Sequence, residues 1–159
     1  MQVFGSLAEI PADFGPSVIT IGKFNGVHIG HQAMIQQAVA IASPSKLPVV
    51  VVTFDRHPAA LFAPEHVPAD ITGLERRVEL CGLGGADAVV VLPFDDELAA
   101  LLPEEFVQQI VVDTLRAQTV VVGEDFRFGA QAAGSVDTLV ELGRQFGFDV
   151  IVVSDVAPR

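Results

Sequence analysis

Apolar residues fall in five short runs that are rich in valine and isoleucine and almost free of polar positions. Strands with one face in water alternate apolar and polar residues, whereas strands covered on both faces read as continuous apolar strings. The pattern therefore predicts five buried strands of a parallel sheet. They are Val18–Gly22, Pro48–Phe54, Ala88–Pro93, Thr119–Gly123 and Asp149–Ser154.

The stretches between these runs carry apolar residues at helical spacing. The predicted helices are His31–Ala42, Leu74–Leu83, Pro103–Leu115 and Ser135–Phe146. In the third helix, Phe106, Ile110 and Leu115 line one face at steps of four and five residues. In the fourth, Ser135 is a natural N-cap, because its side-chain oxygen can accept a hydrogen bond from a backbone N–H that lacks a partner within the helix.

Strands and helices alternate along the chain, which predicts right-handed β-α-β crossovers. The expected fold is a single α/β domain over residues 1–159, with a doubly wound, mostly parallel sheet of five strands and helices on both faces. Ligands of such sheets bind beyond the carboxyl ends of the strands, where the strand order reverses. Functional residues are therefore expected in the loops that follow the strands.

The loop after the first predicted strand, Gly22–His31, combines three glycines with two histidines. The glycines, at 22, 26 and 30, let the backbone approach a ligand closely, and the next helix points its free N–H groups at the same place. His28 and His31 lie three residues apart at the helix start, so both imidazoles can donate hydrogen bonds to phosphate oxygens. The loop is predicted to bind phosphate.

Other interpretations of this loop are open at this point. The two histidines suit a metal ion, but a zinc site needs three or four ligands and no Cys, Asp or Glu stands nearby in the sequence. Either histidine can be an ordinary loop residue, and the glycines can simply mark a turn. The glycine spacing of four and four also differs from the dinucleotide-binding fingerprint Gly-x-Gly-x-x-Gly.

The chain is acidic, with 20 Asp and Glu against nine Lys and Arg and a formal net charge of −11. This balance argues against nucleic acid or an anionic membrane as a partner, since both require a basic face. A phosphate site must then depend on backbone N–H groups, a helix N-terminus and a few placed cations.

Three features point to a reducing, cytoplasmic location. The single cysteine, Cys81, excludes an intrachain disulfide and a cysteine-rich zinc site, and its apolar neighbours favour a core position. Residues 1–10 lack the basic start of a signal peptide. No uninterrupted apolar run reaches the roughly 18 residues that a transmembrane helix needs.

The string Gly22-Lys-Phe-Asn-Gly-Val-His-Ile-Gly-His31 resembles the signature of the nucleotidyltransferase superfamily with a His-x-Gly-His motif. Three more segments extend the likeness: Thr53-Phe-Asp-Arg-His-Pro58, Ile71-Thr72 leading into Glu75-Arg-Arg77, and Gly123-Glu-Asp-Phe-Arg-Phe-Gly129. In order and spacing, from about residue 3 to residue 155, the chain resembles the FMN adenylyltransferase (FAD synthetase) module of bacterial bifunctional riboflavin kinase/FAD synthetases.

The resemblance implies a Rossmann-like fold and transfer of AMP from ATP to FMN, which yields FAD and pyrophosphate, with Mg²⁺ carried by the ATP phosphates. The FMN phosphate attacks in line, so no protein nucleophile is needed and catalysis rests on positioning and charge neutralisation. It assigns the catalytic role, holding the ATP phosphates, to His28 and His31. The residues it places in the ATP site are Gly22, Lys23, Phe24, Asn25, Gly26 and Gly30.

The same resemblance implies a flavin site built by the other loops, with flat apolar walls for the ring system. The matching residues are Phe54, His57, Pro58, Phe62, Phe106, Asp125, Arg127 and Phe128. Judged from the residues alone, Phe106 suits a core position equally well. Asp125 equally suits an Asx-type turn, and Arg127 suits either the surface or a phosphate contact.

The chain departs from the family pattern in three ways. Asn25 replaces the usual Asp, and Arg56 stands where Pro is common. The family's Ser/Thr-rich segment ending in Arg, which also grips ATP phosphates, would follow the fifth strand, but the sequence stops at Val156-Ala-Pro-Arg159. A riboflavin kinase domain is also absent: if the sequence is a fragment, we expect that domain in the parent protein, and otherwise the chain is a natural short homologue.

The missing phosphate contacts are expected to weaken adenylyl transfer by roughly 10²–10³. Two alternatives to an active enzyme therefore accompany the main prediction. One is a flavin- or nucleotide-binding module without catalysis, and the other is a nucleotidyltransferase for a different acceptor.

Overall fold

The computed structural model describes residues 2–22, 29–54, 74–93, 96–124, 126–130 and 133–153. Within these ranges one sheet has the strand order β1-β4-β3-β2-β5-β6, and every neighbouring pair is parallel. The strands are β1 (Gln2–Phe4), β2 (Ser17–Ile21), β3 (Val49–Phe54), β4 (Ala88–Leu92), β5 (Ala117–Gly123) and β6 (Asp149–Val153). The predicted parallel α/β fold is confirmed.

The predicted number of strands, five, is wrong by one, because the sheet also contains β1 at its edge. This strand has three residues, of which only Phe4 is buried, while Val3 is 49% exposed. An edge strand that short has one neighbour and little apolar cover. It therefore lacks the long apolar run by which strands buried on both faces are recognised.

The helices follow the predicted order. They are α1 (Ile29–Ala42), α2 (Leu74–Leu83), α3 (Asp96–Ala99), α4 (Pro103–Phe106) and α5 (Val136–Phe146), with short 3₁₀ turns at Leu7–Glu9 and Ser43–Ser45. The four-residue α3 and the two turns are additions to the prediction. Across the described ranges, no helix has the length and apolar character needed to cross a bilayer.

Helix α4 continues directly into a π-helix, Val107–Thr114, where an α-helix was predicted. The N–H of Leu115 donates to the carbonyl of Ile110 over 3.1 Å, a step of five residues. This is the i→i+5 pattern that defines a π-helix. The apolar step of five between Ile110 and Leu115 in the sequence is the local signal for it, because that spacing keeps both residues on the buried face.

Helices cover both faces of the sheet, and each face has its own core. On one face, Ile19 and Ile21 of β2 share a cluster with Ile110 of the π-helix and Leu139 of α5. On the other, Val18 of β2 shares a cluster with residues of α1 and α2. Cys81 of α2 lies in this second core at 1% exposure, which confirms its predicted core position.

Helix α5 has the N-cap that its sequence predicts. The Ser135 hydroxyl accepts a hydrogen bond from the Thr138 N–H at 3.5 Å, and the Ser135 N–H donates to Thr138 Oγ1 at 3.1 Å. Both bonds satisfy donors that the first helical turn leaves free.

Replacing Ser135 with alanine is therefore expected to lower the free energy of unfolding by about 1 kcal/mol. Urea denaturation followed by far-ultraviolet circular dichroism measures it, with Ser45→Ala as the control because Ser45 is exposed in a 3₁₀ turn. Equal unfolding midpoints for the two variants would show that the cap contributes nothing.

Candidate active site

The strand order reverses at the centre of the sheet. From β2 the chain moves to β3 and β4 on one side, and it returns to β5 and β6 on the other side. Because all these strands are parallel, the segments that follow β3, β2 and β5 leave the same edge next to one another. These are the three loops on which the sequence placed its ATP and flavin residues. The reversal of strand order also makes this edge the expected ligand site of a doubly wound sheet.

Gly22 begins the predicted phosphate loop and is tied to the neighbouring strand. Its N–H donates to the carbonyl of Val52 in β3 over 3.1 Å. The described chain resumes at Ile29, where α1 begins, so positions 30 and 31 belong to the first turn of that helix. That turn contains no acidic residue. Within this turn, therefore, no carboxylate offsets the positive end of the helix dipole, which favours an anion there.

Several predicted site residues lie outside the described ranges. They are Lys23, Phe24, Asn25, Gly26 and His28 of the phosphate loop, His57, Pro58 and Phe62 after β3, and Asp125 after β5. Their assignments stay predictions. The backbones of Gly30 and His31 lie in α1, and the roles proposed for these two residues also stay predictions.

The segment after β5 folds back on itself. Phe128 and Gly134 exchange two backbone hydrogen bonds, of 3.1 and 2.9 Å, in an antiparallel bridge. A Cβ atom on Gly134 would lie 2.7 Å from the Phe128 ring, so only glycine allows this approach. The Ala130 N–H donates to the carbonyl of Leu101, which ties the segment to the residues just before α4.

Two phenylalanines of this segment, Phe126 and Phe128, form an aromatic cluster with Phe106 of α4. The Phe128 ring lies 5.5 Å from the ring of Phe106 at the end of α4, and these two side chains are only 5% and 4% exposed. The Phe126 ring stacks on the Phe128 ring, with the ring centres 5.5 Å apart and an interplanar angle of 11°. Phe126 is only half-buried, so it is the member of the trio that can present apolar surface to a ligand.

Phe126 is a candidate that the sequence reasoning missed. The available signal was the Phe-Arg-Phe pattern at 126–128, since residues two apart in an extended segment point to the same side and Phe126 therefore lies beside Phe128. Phe54, half-buried at the end of β3, is a second accessible aromatic on the same edge of the sheet. Arg127 is exposed, in keeping with the surface position weighed for it.

The described residues offer no metal centre of their own. Among them, no three His, Cys, Asp or Glu side chains stand together as a set of metal ligands. They do offer a helix start without local negative charge and two accessible aromatic rings. Such an arrangement suits an anionic nucleotide beside a flat apolar ring.

A comparison with known families identifies the family of the chain. The FAD synthetase family matches residues 10–159, which include all three loops. The chain belongs to the FAD synthetase family. The resemblance predicted from the loop motifs is thereby confirmed.

Relatives of this FAD synthetase family member agree with that assignment. It is 38% identical over 133 residues to the bifunctional riboflavin kinase/FMN adenylyltransferase of Escherichia coli K12, covering 84% of this chain and 42% of the relative. It is 38% identical over 150 residues to the protein of the same name from Pseudomonas fluorescens, covering 94% of this chain and 48% of the relative. The chain thus spans about half the length of the curated relatives it matches.

A solved structure shares the fold. A protein from Streptococcus pneumoniae, described as a macrolide-efflux protein, superposes with a TM-score of 0.86 at 26% identity, over 99% of this chain and 50% of that one. The superposition covers the sheet and the helices on both of its faces.

Proposed function

We propose that the chain is an FMN adenylyltransferase, which transfers AMP from ATP to FMN and releases FAD and pyrophosphate. The observation that carries the proposal is the position of the three motif loops. A member of the FAD synthetase family has its phosphate loop, its β3 loop and its β5 loop on three adjacent strands at one edge of the sheet. Two substrates that must react with each other need such neighbouring half-sites.

The ATP half-site is assigned to the loop from β2 to α1. The tie between Gly22 and Val52 fixes where the loop begins, and the first turn of α1 supplies free N–H groups at its end. In this assignment His28 and His31 donate hydrogen bonds to the phosphates. The site thereby binds phosphate through local hydrogen-bond donors, because a chain with a net charge of −11 has no general positive field to attract it.

The flavin half-site is assigned to the segments after β3 and β5. Phe54 and Phe126 supply accessible aromatic surface, and Phe128 with Phe106 supports Phe126 from below. The remaining flavin residues predicted from the family pattern complete this half-site. An isoalloxazine ring stacks favourably on such flat apolar side chains.

The reaction requires positioning rather than covalent catalysis. A phosphate oxygen of FMN forms a bond to the α-phosphorus of ATP, while the bond from that phosphorus to the bridging oxygen of the β-phosphate breaks. The electron pair leaves with pyrophosphate. Donors aimed at the phosphates stabilise the charge that builds up in this step.

Mg²⁺ enters the proposal with ATP rather than as a resident ion. Mg²⁺ is usually bound by substrate phosphates and waters with one or two carboxylates, so we assign the ATP phosphates as its main ligands. When bound, the ion neutralises phosphate charge.

The longer relatives suggest a riboflavin kinase domain as a covalent partner in the parent protein. The acidic charge and single cysteine support a cytoplasmic location with no nucleic-acid or membrane partner.

A panel of acceptors tests the proposal. The protein is incubated with MgATP and either FMN, riboflavin or nicotinamide mononucleotide, and the dinucleotide products are separated by chromatography. FAD is expected from FMN alone, because riboflavin has no phosphate to attack and the nicotinamide ring is too small to fill the aromatic half-site. Product from nicotinamide mononucleotide in preference to FMN would contradict the flavin assignment.

A further inference from the structure

Thr20 of β2 carries a buried hydroxyl whose purpose the fold does not explain. The residue is fully buried, and its Oγ1 has no hydrogen-bond partner among the residues described. Ser17 on the same strand differs, since its hydroxyl donates to the carbonyl of Leu115 over 2.7 Å. Buried polar atoms are almost always paired, so each exception requires an explanation.

The sheet around Thr20 does not need a hydroxyl. Its neighbours across the sheet are Val51 of β3 and Val121 of β5, which pair with it in the parallel register. Both belong to the apolar core on the α1 face. Valine has the same shape as threonine and would fill this position without an unpaired oxygen. An unpaired hydroxyl at this position therefore costs stability.

The geometry of β2 and α1 places this hydroxyl near the predicted phosphate site. Side chains alternate along a strand, so Thr20 faces the same side as Val18, which shares a core with Ile35 and Ala38 of α1. Helix α1 runs back along the sheet from its carboxyl edge. Thr20 lies one pleat, roughly 6.6 Å, nearer that edge than Val18.

That distance corresponds to about four residues of an α-helix, which rises roughly 1.5 Å per residue. Counting back four residues from Ile35 reaches position 31, so we infer that Thr20 lies near the first turn of α1. This is the turn whose N–H groups form the end of the ATP half-site. The unpaired, buried hydroxyl of Thr20 therefore lies close to a helix start whose first turn contains no acidic residue.

We propose that Thr20 is a positioning residue of the ATP site. Its hydroxyl forms a hydrogen bond with the first turn of α1 when nucleotide phosphates are bound, and so holds that turn against β2. The hydroxyl has no partner among the described residues, and a bond that forms with the nucleotide adds its free energy to ATP binding and not to folding. The inference rests on the proposed function, because it requires that this end of α1 receives ATP.

Thr20→Val tests the inference through two effects of opposite sign. Without nucleotide, the variant is expected to melt about 2–4 °C higher than the wild type, because an unpaired hydroxyl is removed. Its Kd for ATP, measured by isothermal titration calorimetry, is expected to rise about tenfold. Thr20→Ser keeps the hydroxyl and is expected to retain wild-type affinity for ATP.

Thr119→Val is the matched control. Thr119 is the cross-strand partner of Val18 on β5, one pleat farther from the carboxyl edge than Thr20. The same substitution there is expected to leave the Kd for ATP unchanged. FMN affinity should be the same in all three variants.

An ATP affinity of Thr20→Val equal to that of the wild type would overturn the inference and leave the proposed function standing. Equal losses of ATP affinity in Thr20→Val and Thr119→Val would also overturn it, since they would reflect general disturbance of the sheet. A wild-type protein that binds no ATP at all would overturn the proposed function together with the inference.

Discussion

Replacing His28 with alanine is expected to reduce FAD formation by at least about 10²-fold while leaving the fold intact. The assigned role of His28 is to donate a hydrogen bond to the ATP phosphates as negative charge develops on them. A donor preorganised for a transition state contributes more to rate than to stability. Steady-state FAD formation from FMN and MgATP measures the effect on kcat/KM.

Gln36→Ala provides the control for His28→Ala. Gln36 is exposed on α1, the helix that follows the phosphate loop, and no site role is assigned to it. The Gln36→Ala variant should retain wild-type activity, and the thermal unfolding of both variants should match that of the wild type. A fully active His28→Ala variant would contradict the assignment of His28.

Replacing Phe106 with alanine is expected to lower the free energy of unfolding by about 3–5 kcal/mol. The side chain is only 4% exposed and its ring packs against that of Phe128, so truncation leaves a cavity in the core. Urea denaturation measures the loss. This cost approaches the whole stability of many domains, so Phe106→Leu, which keeps most of the apolar volume, is measured alongside it.

Phe126→Ala is the paired variant, because it separates core packing from ligand contact. Phe126 belongs to the same aromatic trio but is only half-buried, so its truncation should cost less stability. It should weaken FMN binding, followed by flavin fluorescence, more than Phe106→Leu does. A Phe106→Leu variant with normal stability and lost FMN binding would show that Phe106 itself forms the flavin wall.

The central strands could be predicted from sequence because burial on both faces leaves a direct trace. In β3, for example, Val49 to Val52 are all buried, and none of the four is polar. The edge strand β1 is half-exposed and leaves no such trace. The limit is physical, since β1 has only three residues and is defined by its pairing with β4, a contact distant in sequence. The other edge strand, β6, was found from its five-residue run, although it is only partly buried and not buried on both faces as predicted.

The candidate site could be predicted less completely than the fold. The phosphate loop was recognisable because glycines and histidines lay between a strand and a helix, a local pattern. The sequence did not reveal which of Phe126 and Phe128 is buried and which is accessible, because this depends on which ring packs against Phe106. The unpaired hydroxyl of Thr20 could not be predicted either, since only the structure shows that it has no hydrogen-bond partner among the described residues.

The most direct test of the central claim is the stoichiometry of products from residues 1–159. The protein is incubated with FMN and MgATP, and FAD and pyrophosphate are quantified in the same samples over time. The proposed reaction predicts that the two products appear together in a ratio of one to one. Saturable FMN binding without release of pyrophosphate, or pyrophosphate without FAD, would contradict it.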